Sequence, residues 1–272
     1  MPQEPVSLPP GVHLVDSHCH LDRLDLAGLG QDLAGVLARA RELGVARMLC
    51  VSINRAELPA VLALAEAHES VWASAGVHPN EQEKTEICEE ELLALADHPR
   101  VIAVGETGLD YFRSVGDLEW QRERFRRHIA VARRLGKPLI IHSRDAAQDT
   151  LRIMKESGAG EAGGVMHCFA GDWAMAKAAL DLGFYISFSG IVTFRNAAEL
   201  REVARQVPEE RLLVETDAPY LTPVPYRGKP NQPGYTRFVA ECLAELRGVD
   251  VVRIARITTA NFDRLFGTGD SG

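Results

Sequence analysis

His18 and His20 stand one residue apart at the end of the apolar run Leu14-Val15-Asp16-Ser17. An extended chain puts residues i and i+2 on one face, so both imidazoles can address one object while Cys19 points away. Paired imidazoles suit a divalent metal ion. A polar turn that happens to hold two histidines is the bland alternative, and this segment alone divides the two evenly. The rest of the chain breaks the tie. His78 follows Gly76-Val77, Glu106 follows Val101–Gly105, His142 follows Leu139–Ile141, His167 follows Gly164–Met166, and Asp217 comes just after Leu212–Glu215. Singly, each would be a cap or a turn residue. Independent caps have no reason to fall one after another at the ends of successive apolar runs.

The ligand count speaks to nuclearity. His18, His20, His142 and His167 with Glu106 and Asp217 exceed what one ion of ordinary coordination needs. A carboxylate can bridge two cations about 3.5–4 Å apart, the spacing of two-metal hydrolytic sites. The expected assignment is His18, His20, Glu106 and Asp217 around one ion and Glu106, His142 and His167 around the other, with Glu106 shared.

These residues need a frame that gathers strand ends. The apolar runs Val12–Asp16, Arg47–Val51, Val71–Ala75, Val101–Gly105, Leu139–Ile141, Gly164–Met166, Tyr185–Phe188 and Leu212–Glu215 are rich in Val, Ile and Leu, as buried parallel strands are. Amphipathic segments alternate with them, such as Leu33-Val36-Leu37-Ala40-Leu43, and Gly44, Gly136 and Gly183 mark helix ends. Eight such units predict an α/β fold, a single (β/α)8 TIM barrel with its active site at the C-terminal ends of the strands. An open doubly wound sheet would more often carry a glycine-rich phosphate loop after its first strand, where this chain has Ser17-His18-Cys19-His20. The expected layout is an N-terminal extension over 1–11, the barrel over 12–266 and a frayed tail over 267–272. Thr107–Asp117 and Ala218–Gly234 are predicted irregular stretches, long enough to carry function.

Composition removes several function classes. A net charge of −8 argues against a protein that coats nucleic acid or membranes through bulk positive charge. There is no apolar stretch of membrane-spanning length and no signal-peptide pattern. Cys19, Cys50, Cys88, Cys168 and Cys242 are widely spaced and lack a CxxC pair, which predicts free thiols and a cytoplasmic setting. No obligate protein partner is evident.

Six blocks carry a family resemblance: Val15-Asp16-Ser17-His18-Cys19-His20-Leu21-Asp22, Gly76-Val77-His78-Pro79, Gly105-Glu106-Thr107-Gly108-Leu109-Asp110-Tyr111, Ile141-His142-Ser143-Arg144, His167-Cys168-Phe169-Ala170-Gly171 and Glu215-Thr216-Asp217-Ala218-Pro219-Tyr220-Leu221. In this order they resemble the signature blocks of the TatD-family metal-dependent deoxyribonucleases, over about Val12 to Phe266 and including Pro225–Asn231. The resemblance implies an amidohydrolase-superfamily barrel, hydrolysis of DNA phosphodiester bonds with exonucleolytic action the expected mode, and metal ligands at His18, His20, Glu106, His142, His167 and Asp217. Asn80 stands where many relatives carry His, and Thr107 where Ile or Cys is frequent.

Phosphodiester hydrolysis needs an activated water and neutralisation of the phosphate charge, which two divalent cations supply; Mg2+, Mn2+ and Zn2+ all suit a histidine–carboxylate set. Asp217 is the expected proton acceptor, with Glu106 beside it in the chemistry. His78, Arg113, Arg144, Arg227 and Lys229 are candidates to hold phosphates of a DNA substrate. The arginine-rich stretch Arg122–Arg134 reads as a barrel helix with a solvated charged face, because Phe125, Ile129 and Ala132 interleave with it. Two alternatives stay open: a binuclear hydrolase of a small amide, ester or lactone, and a metal-binding scaffold without turnover. Glu106 stands where many small-molecule relatives place a carboxylated lysine.

Overall fold

The computed structural model describes residues 5–82 and 86–269. Eight parallel strands follow one another around a single sheet, each paired with the next. They are β1 (Leu14–Cys19), β2 (Val45–Cys50), β3 (Val71–Ala75), β4 (Val101–Asp110), β5 (Leu139–Arg144), β6 (Gly164–Met166), β7 (Tyr185–Phe188) and β8 (Leu212–Val214). Interleaved with them are α1 (Leu26–Leu29), α2 (Leu33–Glu42), α3 (Leu58–Ala67), α4 (Glu89–Ala96), α5 (Glu119–Leu135), α6 (Ala147–Glu156), α7 (Trp173–Asp181), α8 (Ala198–Gln206), α9 (Thr236–Arg247) and α10 (Val251–Phe266). This is the expected TIM-barrel-like α/β fold. The expected extension (1–11) and tail (267–272) fall partly outside the described residues; within them, Arg237 Nη2 donates to Val6 O at 2.7 Å.

Strand alternation sorts the apolar side chains into two cores. Val15, Leu49, Ala103, Ile140, Val165, Tyr185 and Leu213 form one cluster, an inward layer drawn from seven strands, and Phe262 and Phe266 of α10 complete it. The larger cluster, with Val45, Val71, Leu139 and Ile186, packs outward against the helices. Thr259 of α10 donates to His13 O (2.8 Å) and Asn261 to Leu212 O (2.9 Å), so α10 stops the mouth at the N-terminal ends of β1 and β8. With that end plugged, the C-terminal rim is left as the open one.

Several strand bounds differ from those the apolar runs predict, most of all in β4. Thr107–Asp110, expected to begin an irregular stretch, extends β4 and pairs with Ile141–Arg144 after a register shift between Val104 and Thr107. Its polar residues concealed the strand; the shift is a bulge that re-aims Glu106 at the rim. β4 and β5 run so close that a Cβ on Gly108 would meet His142 O at 2.0 Å, and just past β3 one on Gly76 would meet Gly105 C of β4 at 2.4 Å. β1 likewise starts later than expected, at Leu14, and runs through His18 to Cys19.

No strand ladder joins β8 to β1 among the described residues. Side chains hold this seam, together with two backbone bonds just past it, from Asp217 N to His18 O and from His20 N to Ala218 O. The Asp16 carboxylate accepts from Thr216 N (2.9 Å), Thr216 Oγ1 (2.5 Å) and His18 N (3.3 Å), and Ser17 Oγ donates to Val214 O (3.0 Å). Asp16 is fully buried, so removing it strands three donors with no water to replace it. Asp16→Ala should lower unfolding free energy by about 3 kcal/mol in urea denaturation; a loss below about 0.5 kcal/mol would show that Asp16 does not hold the seam.

Candidate metal centre

The rim gathers the predicted residues around one carboxylate. Glu106, in β4, lies 3.3 Å through Oε2 from His18 Nε2, and through Oε1 3.2 Å from His78 Nε2, 3.2 Å from His142 Nδ1 and 2.8 Å from His167 Nε2. On the Oε2 side, His18 Nε2 is 3.3 Å from His20 Nε2, and Asp217 Oδ1 is 3.6 Å and 3.5 Å from those two nitrogens. The expected ligands converge on Glu106, with a grouping that differs from the expected one: His18, His20 and Asp217 gather on the Oε2 side, His78 and His142 join Glu106 on the other, and His167, 2.8 Å from Oε1, also groups with His18 and Glu215. His78, expected to meet substrate, stands instead beside the second group.

Backbone geometry aims these side chains. Asp217 is left-handed at φ 57°, and its N–H is tied to His18 O at 2.9 Å across the seam. Such strain in a non-glycine residue persists where surroundings fix it, commonly at working sites. His20 Nδ1 lies 2.9 Å from Val51 O, which leaves Nε2 for the cluster. His167 Nδ1 lies 3.2 Å from Glu215 Oε1, and Glu215 also accepts from Cys168 N at 2.8 Å. His142 Nε2 lies 3.1 Å from Asp110 Oδ2, which accepts from Asn80 Nδ2 at 2.8 Å. Glu215 and Asp110 are orienting carboxylates to which sequence reasoning gave no role. The signal was present, since both stand inside the quoted blocks, but only the fold shows which imidazole each one faces.

Burial and charge oppose one another throughout the cluster. Burial alone would raise the Glu106 carboxyl; the charges of His167 and His78 and the hydrogen bonds of His142 and His167 hold it well below the usual range. Burial would lower His167, yet Glu106 and Glu215 raise it well above an ordinary histidine. Asp217 is lowered despite burial by its bond to His20, and His142 is raised despite burial by Asp110 and Glu106. Without a cation, protons balance the carboxylates. Two buried polar atoms of the cluster nevertheless lack a partner: His18 Nδ1 and Glu215 Oε2 make no hydrogen bond. Nitrogen lone pairs packed 3.3 Å apart beside carboxylates, with bonds left unmade, fit divalent cations.

Helix α5 braces the loops that carry His78 and Asp110. Gln121 donates to Pro79 O (3.0 Å) and accepts from Asp110 N (3.0 Å); Arg124 donates to His78 O (2.9 Å) and Glu81 O (2.7 Å) and pairs with Glu86. Arg124 is buried, which corrects the expectation of a wholly solvated arginine face. Arg122, Arg126, Arg127, Arg133 and Arg134 are ion-paired to acidic neighbours, so the stretch offers no free basic patch. His128 accepts from Val77 N at 3.0 Å, and its Nδ1 faces Arg124 O at 2.8 Å, the pattern of a neutral ring.

A cavity of about 700 Å3 opens over the cluster, and Arg113 and Arg144 stand in its wall. Neither arginine has an ion-pair partner among the described residues. Arg227 and Lys229 do not line this cavity; the Arg227 guanidinium lies 3.9 Å over the Phe194 ring and Lys229 is exposed. Arg23 and Tyr220, which the sequence reading did not select, do line it.

Two outcomes follow from this geometry. Glu106→Gln should weaken retention of every divalent ion the cluster holds, measured as metal per chain after dialysis; one ion kept at full occupancy would contradict a shared ligand. Burial holds His128 down to about 4 from 6.5, so the fold prefers the neutral ring. That preference is without cost above pH 6.5 and is lost as pH falls from about 6.5 through 4, a loss of about 3 kcal/mol. In chelator, wild type should therefore lose more stability over this window than His128→Gln; equal pH slopes would contradict the buried neutral ring.

Comparison with known proteins agrees with the geometry. The family described as TatD related DNase matches residues 15–267. YcfH, an uncharacterized metal-dependent hydrolase of Escherichia coli (strain K12), is 51% identical over 257 residues, which cover 93% of this chain and 95% of that one. The 3'-5' ssDNA/RNA exonuclease TatD of Salmonella typhimurium is 36% identical, over 94% of this chain and 97% of its own. The crystal structure of YjjV, a TatD homologue from Escherichia coli K12, superposes with a TM-score of 0.85 at 32% identity, over 93% and 98% of the two chains. The chain belongs to the TatD family of metal-dependent hydrolases.

Proposed function

We propose that this hydrolase cleaves phosphodiester bonds of DNA, working from a strand end. The observation that carries the reading is Glu106, buried at the floor of an open cavity with one oxygen toward each histidine group, beneath two unpaired arginines. His18, His20, Glu106 and Asp217 would hold one divalent cation, and Glu106, His142 and His167 a second. Bound there, such cations supply an activated water and neutralise a phosphate oxygen. Asp217, more exposed than Glu106 (13% against 4% of the side chain), accepts the proton of the attacking water. Arg113 and Arg144 hold the flanking phosphate oxygens by charge-assisted hydrogen bonds. A net charge of −8 makes such local cations necessary for an anionic polymer to approach.

The Salmonella relative's name supports the assignment, since it specifies a 3'-5' exonuclease of single-stranded DNA and RNA. The competing reading, a hydrolase of a small ester, amide or lactone, uses the same cluster and differs in what fills the cavity. One panel separates them: single-stranded DNA, duplex DNA, RNA and model esters, each with Mg2+, with Mn2+ and with chelator. Nucleotide release from DNA in the presence of metal and none in chelator is the expected result; ester turnover without any nucleotide release would overturn the assignment. Asp217→Asn should lower turnover by about 10²–10⁴-fold, and Arg144→Ala should act chiefly by raising KM for DNA.

A further inference from the structure

A second cavity of about 720 Å3 adjoins the first, between the loops that follow β5 and β6. The two share Ser143, Arg144, His167 and Ala170, so they meet along residues that include a histidine of the cluster. The volume lies within the roughly 300–1,000 Å3 typical of small-ligand pockets.

The lining of this second cavity has two parts. Met166, Phe169 and Met175 make a buried apolar floor. Gly171 lets the chain lie against it, since a Cβ there would come within 2.7 Å of Met175 Sδ. Tyr111 forms a side wall whose ring is held fixed, because its hydroxyl donates to Asp149 Oδ2 (2.7 Å) and accepts from Arg122 Nε (2.9 Å). Thioether sulfur and aromatic rings favour contact with a flat π-system. Asp145 and Gln148 add polar groups at the rim. Arg144 stands where the two cavities meet, its guanidinium 3.8 Å over the exposed ring of Phe112 and free of any ion pair among the described residues.

We propose that this second cavity is a nucleoside subsite, taking the base and sugar joined to the phosphate at the metal centre, with Arg144 gripping the linkage between them. The inference rests on the phosphodiester reading of the adjoining site. A cation at the junction, a cavity with an apolar floor, a tyrosine wall and polar groups on one side, and a candidate metal cluster on the other match a nucleotide from phosphate to base. A base engaged in a duplex is unavailable to such a slot, so the subsite favours single strands or frayed ends.

The test uses full-length protein in Mg2+ with 13C-labelled methionine methyls. Deoxyadenosine monophosphate should shift the Met166 and Met175 signals while Met48 and Met154, buried elsewhere in the fold, stay still; inorganic phosphate should leave Met175 in place. Ala147→Trp, which fills the cavity from the first residue of α6, should weaken the nucleotide's binding at least tenfold and leave that of inorganic phosphate unchanged. A nucleotide that leaves Met175 unmoved, or binds wild type no more tightly than phosphate, overturns the subsite, and the methyl readout stands even if Ala147→Trp does not fold. DNA hydrolysis with Met175 unmoved would sink the subsite and spare the nuclease reading. Nucleotide binding at Met175 without hydrolysis of any polynucleotide would do the reverse.

Discussion

The Glu106 carboxylate is 3% exposed and lies within 3.3 Å of nitrogens from four histidines, each from a different strand or the loop after it. A charge so deeply buried is expensive unless opposite charges or a metal surround it. The surrounding structure is organised to meet that demand. A bulge in β4 turns Glu106 toward the rim, glycines at 76 and 108 let neighbouring strands approach it, and Asp110 and Glu215 fix the imidazoles that face it. Leaving Glu106 without its partners would cost far more than any single surface contact contributes.

The barrel's least ordinary join lies next to this cluster. β8 and β1 meet through the Asp16, Ser17 and Thr216 side chains and the backbone bonds of Asp217 and His20, without a regular strand ladder, and the same few residues lead into His18, His20 and Asp217. Stability and function therefore share one seam. At the opposite end, α10 seals the barrel with Phe262 and Phe266, and Thr259, Asn261 and Asp263 tie the helix to the surrounding backbone and to Arg47. This division between a packed bottom and a polar top is what lets the fold vary its chemistry by its loops.

Much of this was legible in the chain. Apolar runs ending in histidine or carboxylate predicted both the strand count and the residues that gather, because strand period and burial leave a strong local mark. The polar continuation of β4 was not legible, since Thr107–Asp110 pairs with β5 for tertiary reasons that no propensity encodes. Arg124 read as one charge among many on α5, although its burial beneath the His78 loop makes it a brace. Arg227 and Lys229, expected from charge and loop position to hold phosphates, do not line the cavity. Motif spacing shows which residues converge; it does not show which neighbours hold them.

Anomalous diffraction from crystals soaked in Mn2+ tests the central claim most directly. The account predicts two peaks, one against each oxygen of Glu106, with His18, His20 and Asp217 around one and His142 and His167 around the other. An absence of peaks at the cluster, or a single ion that does not touch Glu106, would contradict it.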